Sequence, residues 1–364
     1  MKAYTNARVF NGTAFINKTV LTENKSIIAL VEKNAIPANA EILDMQGKIL
    51  APAFIDIQIY GGNGRLFSNE LSAAAIQSTH DYCMAGGAAQ FYITLATNSL
   101  EVFYKGIDAV RDYWKQGGKG MPGLHLEGPY INPVKKGAHI EKYIKKPTVT
   151  EVKDLLAYGK DVIKIMTLAP EQCDDAVVQL LHDAGVVVSA GHSNANYQQA
   201  TAAFDNGIKT ATHLFNAMSP LQHREPGLVG ALFNHPSAMS SIVPDGIHVD
   251  MAALRISKKI MQERLFIITD AVTATSSGDY PHVFNGDRYN MPDGTLSGSA
   301  LTMMQGVKNL VTRADISLEE ALRMASLYPA QVVGLKQYGK IENGFAESFV
   351  AFDNDFANVQ VYTA

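Results

Sequence analysis

From residue 54 onward, short runs rich in β-branched and aromatic residues alternate with amphipathic stretches, eight times in succession. The runs cover 54–60, 90–96, 123–126, 162–168, 186–190, 208–212, 239–243 and 265–269. Helix-like stretches lie between most of them, for example 72–85, 100–114, 150–158 and 171–184. Runs such as Val186-Val187-Val188 and Leu265-Phe266-Ile267-Ile268 are apolar at every position, as a parallel strand covered on both faces requires. Eight such strands joined by helices predict an α/β fold, a TIM-type (β/α)₈ barrel. The first fifty residues instead read as strands cut by turns, and 339–362 is strand-like again. The two ends therefore pair into a small β-sandwich, giving a sandwich domain of 1–50 plus 336–364 and a catalytic barrel of 51–335. Beyond the last run come a glycine-rich loop and helices at 301–312 and 318–333.

With 364 residues, 47% hydrophobic and 18% charged, the chain can bury a large core, which excludes a disordered protein. Two cysteines, Cys83 and Cys173, form no C-x-x-C pair, so they fit a reducing cytoplasm as buried apolar residues. Lys plus Arg is 31 and Asp plus Glu 35, a net charge of −4. That balance is too mild for nucleic acid or an anionic membrane to be the partner. The opening residues lack the apolar stretch of a signal peptide. The uncharged stretches 82–100 and 226–244 are broken by glycines and polar residues or by three prolines, so neither reads as a membrane span. A soluble, cytoplasmic protein is expected.

Barrels carry their chemistry where the strands end. Polar residues stand at that point repeatedly: Gln58, Glu127, His192, His213, His248 and Asp270. Two imidazoles and a carboxylate suit a divalent transition metal, which makes Glu127, His192 and His213 the candidate ligands. Three protein ligands leave a position for water, and a metal lowers the pKa of such water to about 7. Asp270 is then the natural general base, passing a proton to a departing amine. His139 or His248 would donate to the developing oxyanion. His125 points the same way as Glu127 one layer deeper and is expected to pack behind it. His80 and His182 fall in helical patterns, and His223, His235 and His282 in loops, where ordinary structural roles prevail. Lys164, in mid-strand, is read as structural.

Several strings in order along nearly the whole chain carry a resemblance: Ala51-Pro52-Ala53-Phe54-Ile55-Asp56, His125-Leu126-Glu127-Gly128-Pro129, Lys136-Gly137-Ala138-His139, Gly191-His192-Ser193-Asn194-Ala195, Thr212-His213-Leu214-Phe215-Asn216-Ala217-Met218, Asp245-Gly246-Ile247-His248 and Leu296-Ser297-Gly298-Ser299. Together they resemble the N-acetylglucosamine-6-phosphate deacetylases of the amidohydrolase superfamily. The resemblance implies a metal-dependent barrel, usually a homodimer, that releases acetate from an amino-sugar phosphate. It implies Glu127, His192 and His213 as metal ligands and Asp270 as acid/base. Ala138, His139, Asn216, Ala217, Arg224, His248, Leu296, Ser297 and Gly298 match substrate-contacting positions. Arg224 offers a planar fork for phosphate, and the backbone N–H groups of Asn216 and Ala217 add donors. The wider superfamily often carries His-x-His on its first strand for a second metal, where this chain has Gln58. An amide is a poor ligand, so one ion per subunit is predicted, Zn²⁺ ahead of Fe²⁺, Co²⁺ or Mn²⁺, with Gln58 behind the metal or its water. Two rivals compete: a hydrolase of a cyclic amide or aminated ring in the same superfamily, and a barrel that only binds. The first has no use for Arg224, and intact ligands argue against the second.

Overall fold

The computed structural model describes residues 1–363. Eight parallel strands form one sheet in sequential order: β1 (Phe54–Ile59), β2 (Ala88–Ala96), β3 (Gly123–Glu127), β4 (Ile163–Leu168), β5 (Val187–Ala190), β6 (Thr210–Ala211), β7 (Met239–Ile242) and β8 (Leu265–Ile267). Each is followed by an outer helix: α1 (Ala73–Ala85), α2 (Leu100–Lys115), α3 (Val149–Gly159), α4 (Asp175–Asp183), α5 (Tyr197–Asp205), α6 (Gly227–Asn234), α7 (Met251–Met261) and α8 (Met303–Arg313). The barrel predicted from the alternation is the one observed. Side-chain acceptors start many of the helices; Ser72, Ser99, Thr148 and Thr302 each accept from a first-turn N–H.

β8 is short, and residues just beyond it close the ring. The Asp270 N–H donates to the Gln58 carbonyl at 3.0 Å and the Tyr60 N–H to the Ala271 carbonyl at 2.9 Å. A buried carboxylate reinforces this seam: Asp56 Oδ1 accepts from the Thr269 N–H at 3.2 Å, and Oδ2 accepts from the Thr269 hydroxyl.

The stretch after Asp270, expected as a loop, folds into a three-stranded antiparallel sheet of Val283–Phe284, Arg288–Asn290 and Leu296–Ser299. The turn carrying it is Asn285-Gly286, with Gly286 at φ +80°, a strong local hairpin signal that was legible in the sequence. The continuous helix expected over 318–333 is two helices, Leu318–Ala325 and Leu327–Val332, broken at Ser326. Pro329 has no N–H to continue the ladder, which accounts for the break.

The termini meet as predicted. One sheet orders Ser26–Val31, Thr19–Glu23, Lys2–Thr5 and Glu41–Asp44; the other orders Gln360–Thr363, Ser348–Phe352, Ile49–Pro52, Arg8–Phe10 and Phe15–Ile16. Tyr4, Val9, Val20, Leu50, Ile341 and Phe349 fill the core between them, separate from the barrel core. No helix among the described residues is long and apolar enough to cross a membrane. Cys83 and Cys173 are free thiols; Cys83 is buried, whereas Cys173 is only half-buried, contrary to expectation, because it lies on the short turn leading into α4.

Candidate active site

The ends of β3, β5 and β6 bring Glu127, His192 and His213 to one point. Glu127 Oε1 lies 3.3 Å from His192 Nε2 and 3.1 Å from His213 Nε2, and the two Nε2 atoms are 3.1 Å apart. His139, on the loop after β3, joins them: its Nε2 is 3.2 Å from Glu127 Oε2, and Glu127, His139 and His192 can all offer atoms to one ion. The Nδ1 of His192 faces the Lys135 carbonyl at 2.9 Å. A carbonyl only accepts, so Nδ1 carries the proton and Nε2 turns its lone pair inward. The reverse holds for His139, whose Nδ1 faces both the Thr97 hydroxyl at 2.7 Å and the Thr97 N–H at 3.4 Å. An N–H only donates, so the His139 proton sits on Nε2 and donates to Glu127. His192 therefore turns a lone pair toward Glu127, and His139 an N–H.

Three electron-rich atoms this close are held together only by positive charge. Burial opposes protonation of His213, but the neighbouring carboxylate outweighs it and holds the imidazole above its ordinary range. Glu127, although buried, is held well below the carboxylate range by His139, His192 and His213. The Nδ1 of His213 is buried with no hydrogen-bond partner among the described residues. A divalent cation fits this donor set of one carboxylate and two inward-facing imidazole nitrogens.

Asp270 ends the segment that closes the barrel. Burial raises its carboxyl above the usual range, against the pull of His213 and His248. Its Oδ1 accepts from the Gln58 amide at 2.9 Å, and the same amide reaches Glu127 Oε1 at 3.1 Å and the Tyr60 hydroxyl at 2.8 Å. Gln58 thus bridges the two carboxylates, and Tyr60 donates its hydroxyl to Glu127 Oε2. His248 Nε2 stands 3.7 Å from Asp270 Oδ2, while its Nδ1 is fixed by Asp245 Oδ2 at 2.5 Å. His192, His213 and Asp270 have φ of +47°, +41° and +53°, left-handed values that non-glycine residues seldom adopt. Strain of this kind persists where surrounding structure enforces it, and here it turns three strand-end side chains into one mouth.

These groups line an open cleft of about 910 Å³ that also includes Ala138, His139, Asn216, Ala217 and the stretch from Leu296 to Gly298. Arg224 is not among its lining residues; it sits exposed in the loop before α6. No lysine or arginine among the described residues lines the cleft. The Asn216 N–H is not a free donor, because it already donates to the His213 carbonyl at 2.9 Å; the turn that positions His213 consumes it. The Ala217 N–H has no protein acceptor among the described residues.

Several lining residues are not singled out by the sequence reading, Tyr60 and Tyr280 among them. Tyr60 lies two residues beyond Gln58 on the same strand face, so alternation could have found it. Tyr280 and His282 come from the segment over the mouth and depend on its fold. His282, expected to be an ordinary loop residue, is buried with its Nδ1 2.9 Å from Ser297 Oγ. His125 lies below the site, contacting the Ile57 carbonyl at 2.9 Å and the Thr167 hydroxyl at 2.8 Å.

The amidohydrolase family profile matches residues 49–363. N-acetylglucosamine-6-phosphate deacetylase of Haemophilus influenzae is 34% identical over 93% of this chain and 91% of its own. The chain belongs to this family. The deacetylase structure from Pasteurella multocida superposes with a TM-score of 0.94 at 33% identity, covering 99% of this chain and 96% of that one. A deacetylase from Mycobacterium smegmatis, solved in complex with N-acetyl-D-glucosamine-6-phosphate, has a TM-score of 0.89 at 28% identity, covering 99% and 96%. The amidohydrolases are metal-dependent, and Glu127, His139 and His192 form a group in this chain whose atoms lie close enough to hold one ion.

Proposed function

We propose that this chain hydrolyses the acetamide of N-acetyl-D-glucosamine 6-phosphate to D-glucosamine 6-phosphate and acetate. The observation that carries this reading is the meeting of Glu127, His192 and His213 beside Asp270 at one barrel mouth, in a chain of this family. Glu127, His192 and His213 would hold one divalent ion per subunit, with Zn²⁺ ahead of Fe²⁺, Co²⁺ or Mn²⁺. When bound, such an ion polarises the acetamide carbonyl and acidifies water. Asp270, its pKa lifted by burial, takes a proton from the attacking water and delivers it to the departing nitrogen. His139, with its proton on Nε2, donates to the oxygen that gains negative charge. His248, oriented by Asp245, and the Ala217 N–H contact the sugar phosphate, with Leu296, Ser297 and Gly298 closing over it. Gln58 keeps the two carboxylates apart and oriented.

A doubly charged phosphate in a cleft lined by no lysine or arginine needs a cation from elsewhere. Arg224, exposed in its own chain, supplies that cation to a second copy if the enzyme is a homodimer. We take the enzyme to be dimeric and cytoplasmic, with 1–50 plus 336–364 as the sandwich and 51–335 as the catalytic unit. The reading is tested by assaying acetate and free amine from N-acetylglucosamine with and without its 6-phosphate, before and after chelation. Phosphate-dependent release that a chelator abolishes supports it; release that ignores both phosphate and chelator overturns it.

A further inference from the structure

The cleft has two unlike walls. Polar groups after β6 and β7, including Asn216 and His248, form one; on the other, Leu66, Val272 and Tyr280 make a small buried apolar cluster separate from the barrel core, with Tyr60 and Ala96 packed against it. Leu66, Val272 and Tyr280 are 3%, 7% and 4% exposed, so this wall is closed rather than open to solvent.

Tyr280, Val272 and the neighbouring Tyr60 are each fixed from behind. The Tyr280 hydroxyl donates to the Thr97 carbonyl at 2.5 Å, tying the segment over the mouth to the end of β2. A side chain at Gly298 would place its Cβ 2.6 Å from Val272 Cγ1, so Val272 is wedged against the last strand of that segment. The Tyr60 ring is held by its hydroxyl on Glu127. An apolar patch inside an otherwise polar site serves an apolar part of the ligand, and rigid walls set how large that part can be.

We propose that Leu66, Ala96, Val272 and Tyr280 form the acyl pocket of the enzyme and limit its substrates to short N-acyl groups. This rests on the deacylase reading above. The acyl carbon bonds to three things: the nitrogen, which faces Asp270; the oxygen, which faces His139; and the acyl tail. His139 lies beside this wall, its ring centroid 6.5 Å from that of Tyr280, and the acyl tail is the apolar part of the substrate, so the apolar wall is assigned to the tail. The sugar, on the nitrogen, is directed to the polar one. In the reaction water adds its oxygen to the acyl carbon, the C–N bond breaks, the acyl group leaves as a carboxylate and the amine takes the proton. The acyl tail is unchanged throughout, so only its size matters to the wall.

The test compares kcat/KM for N-formyl, N-acetyl, N-propionyl and N-butanoyl glucosamine 6-phosphate in the metal-loaded wild type, Val272→Ala, Leu66→Val and Ala96→Val. One methylene in a hydrophobic pocket changes kcat/KM by about 10- to 200-fold. The wild type is expected to lose at least about 10-fold per methylene beyond acetyl. Val272→Ala and Leu66→Val are expected to raise the propionyl-to-acetyl ratio by about 10-fold, and Ala96→Val to raise the formyl-to-acetyl ratio. The opposed directions keep the test informative if one variant fails to fold. Ratios that stay at the wild-type value in folded variants overturn the acyl pocket while leaving the deacetylase intact; a wild type that releases no acid from any of the four overturns the deacetylase reading itself.

Discussion

At the residue scale, two carboxylates in the same barrel have unlike tasks. Asp270 opens onto the cleft and has partners of both signs. Replacing it by Asn keeps its size while removing its proton acceptor, and turnover should fall by about 10²- to 10⁴-fold with metal content by elemental analysis unchanged; near-wild-type acetate release would show that another group is the base. His139→Gln should cost about 10²- to 10³-fold in kcat if it stabilises developing oxyanion charge, whereas a purely packing residue would change thermal stability more than kcat. Asp56 faces only the seam. Burial pushes its carboxyl up to about 7, against its hydrogen bonds from Thr269. Folding therefore favours the protonated form. The stability this contributes is complete below about pH 4, the unfolded value, and is lost as pH rises through about 7. The Tm difference between wild type and Asp56→Asn, followed from pH 4 to 8, should move against the wild type as pH increases; movement in its favour contradicts a raised pKa.

At the element scale, the barrel was written in the chain and the cover was misread. Helix caps and apolar runs are local, so β1 to β8 and most outer helices could be located before any coordinates. The segment between Asp270 and Leu296 reads as a loop in the sequence because its strands are only two to four residues long, too short for periodicity to register. Only Asn285-Gly286 announced it. Its last strand is pinned where Gly298 adopts φ +139° and passes against Val272. Gly298→Ala adds a methyl group in strained backbone at that contact, and is expected to lower kcat/KM by 10-fold or more, on the order of 1.4 kcal/mol, while circular dichroism stays native. An unaltered kcat/KM would mean that this strand does not shape the cleft.

At the scale of the whole molecule, the sandwich is closed by the last strands of the chain. Phe349 meets the Tyr4 ring edge-on at 5.0 Å, joining residues 345 positions apart in sequence. Phe349→Ala should destabilise the fold by about 3–5 kcal/mol, read from denaturant unfolding, with kcat of the surviving folded enzyme little changed because the contact lies far from the barrel mouth. Some of the sequence reading was sufficient by itself: strand count, barrel class, pairing of the termini, and the residues standing at strand ends. Those follow from periodicity and from where apolar runs stop, which neighbours along the chain determine. The tertiary structure alone decided which imidazole nitrogen faces inward, that Tyr60 and Gln58 join Glu127 to Asp270, that the Asn216 N–H is already occupied, that Arg224 lies outside its own cleft, and that an apolar wall faces a polar one. Each depends on the distance and direction between groups remote in sequence, and hydrogen-bond direction and burial exist only once the ring has closed.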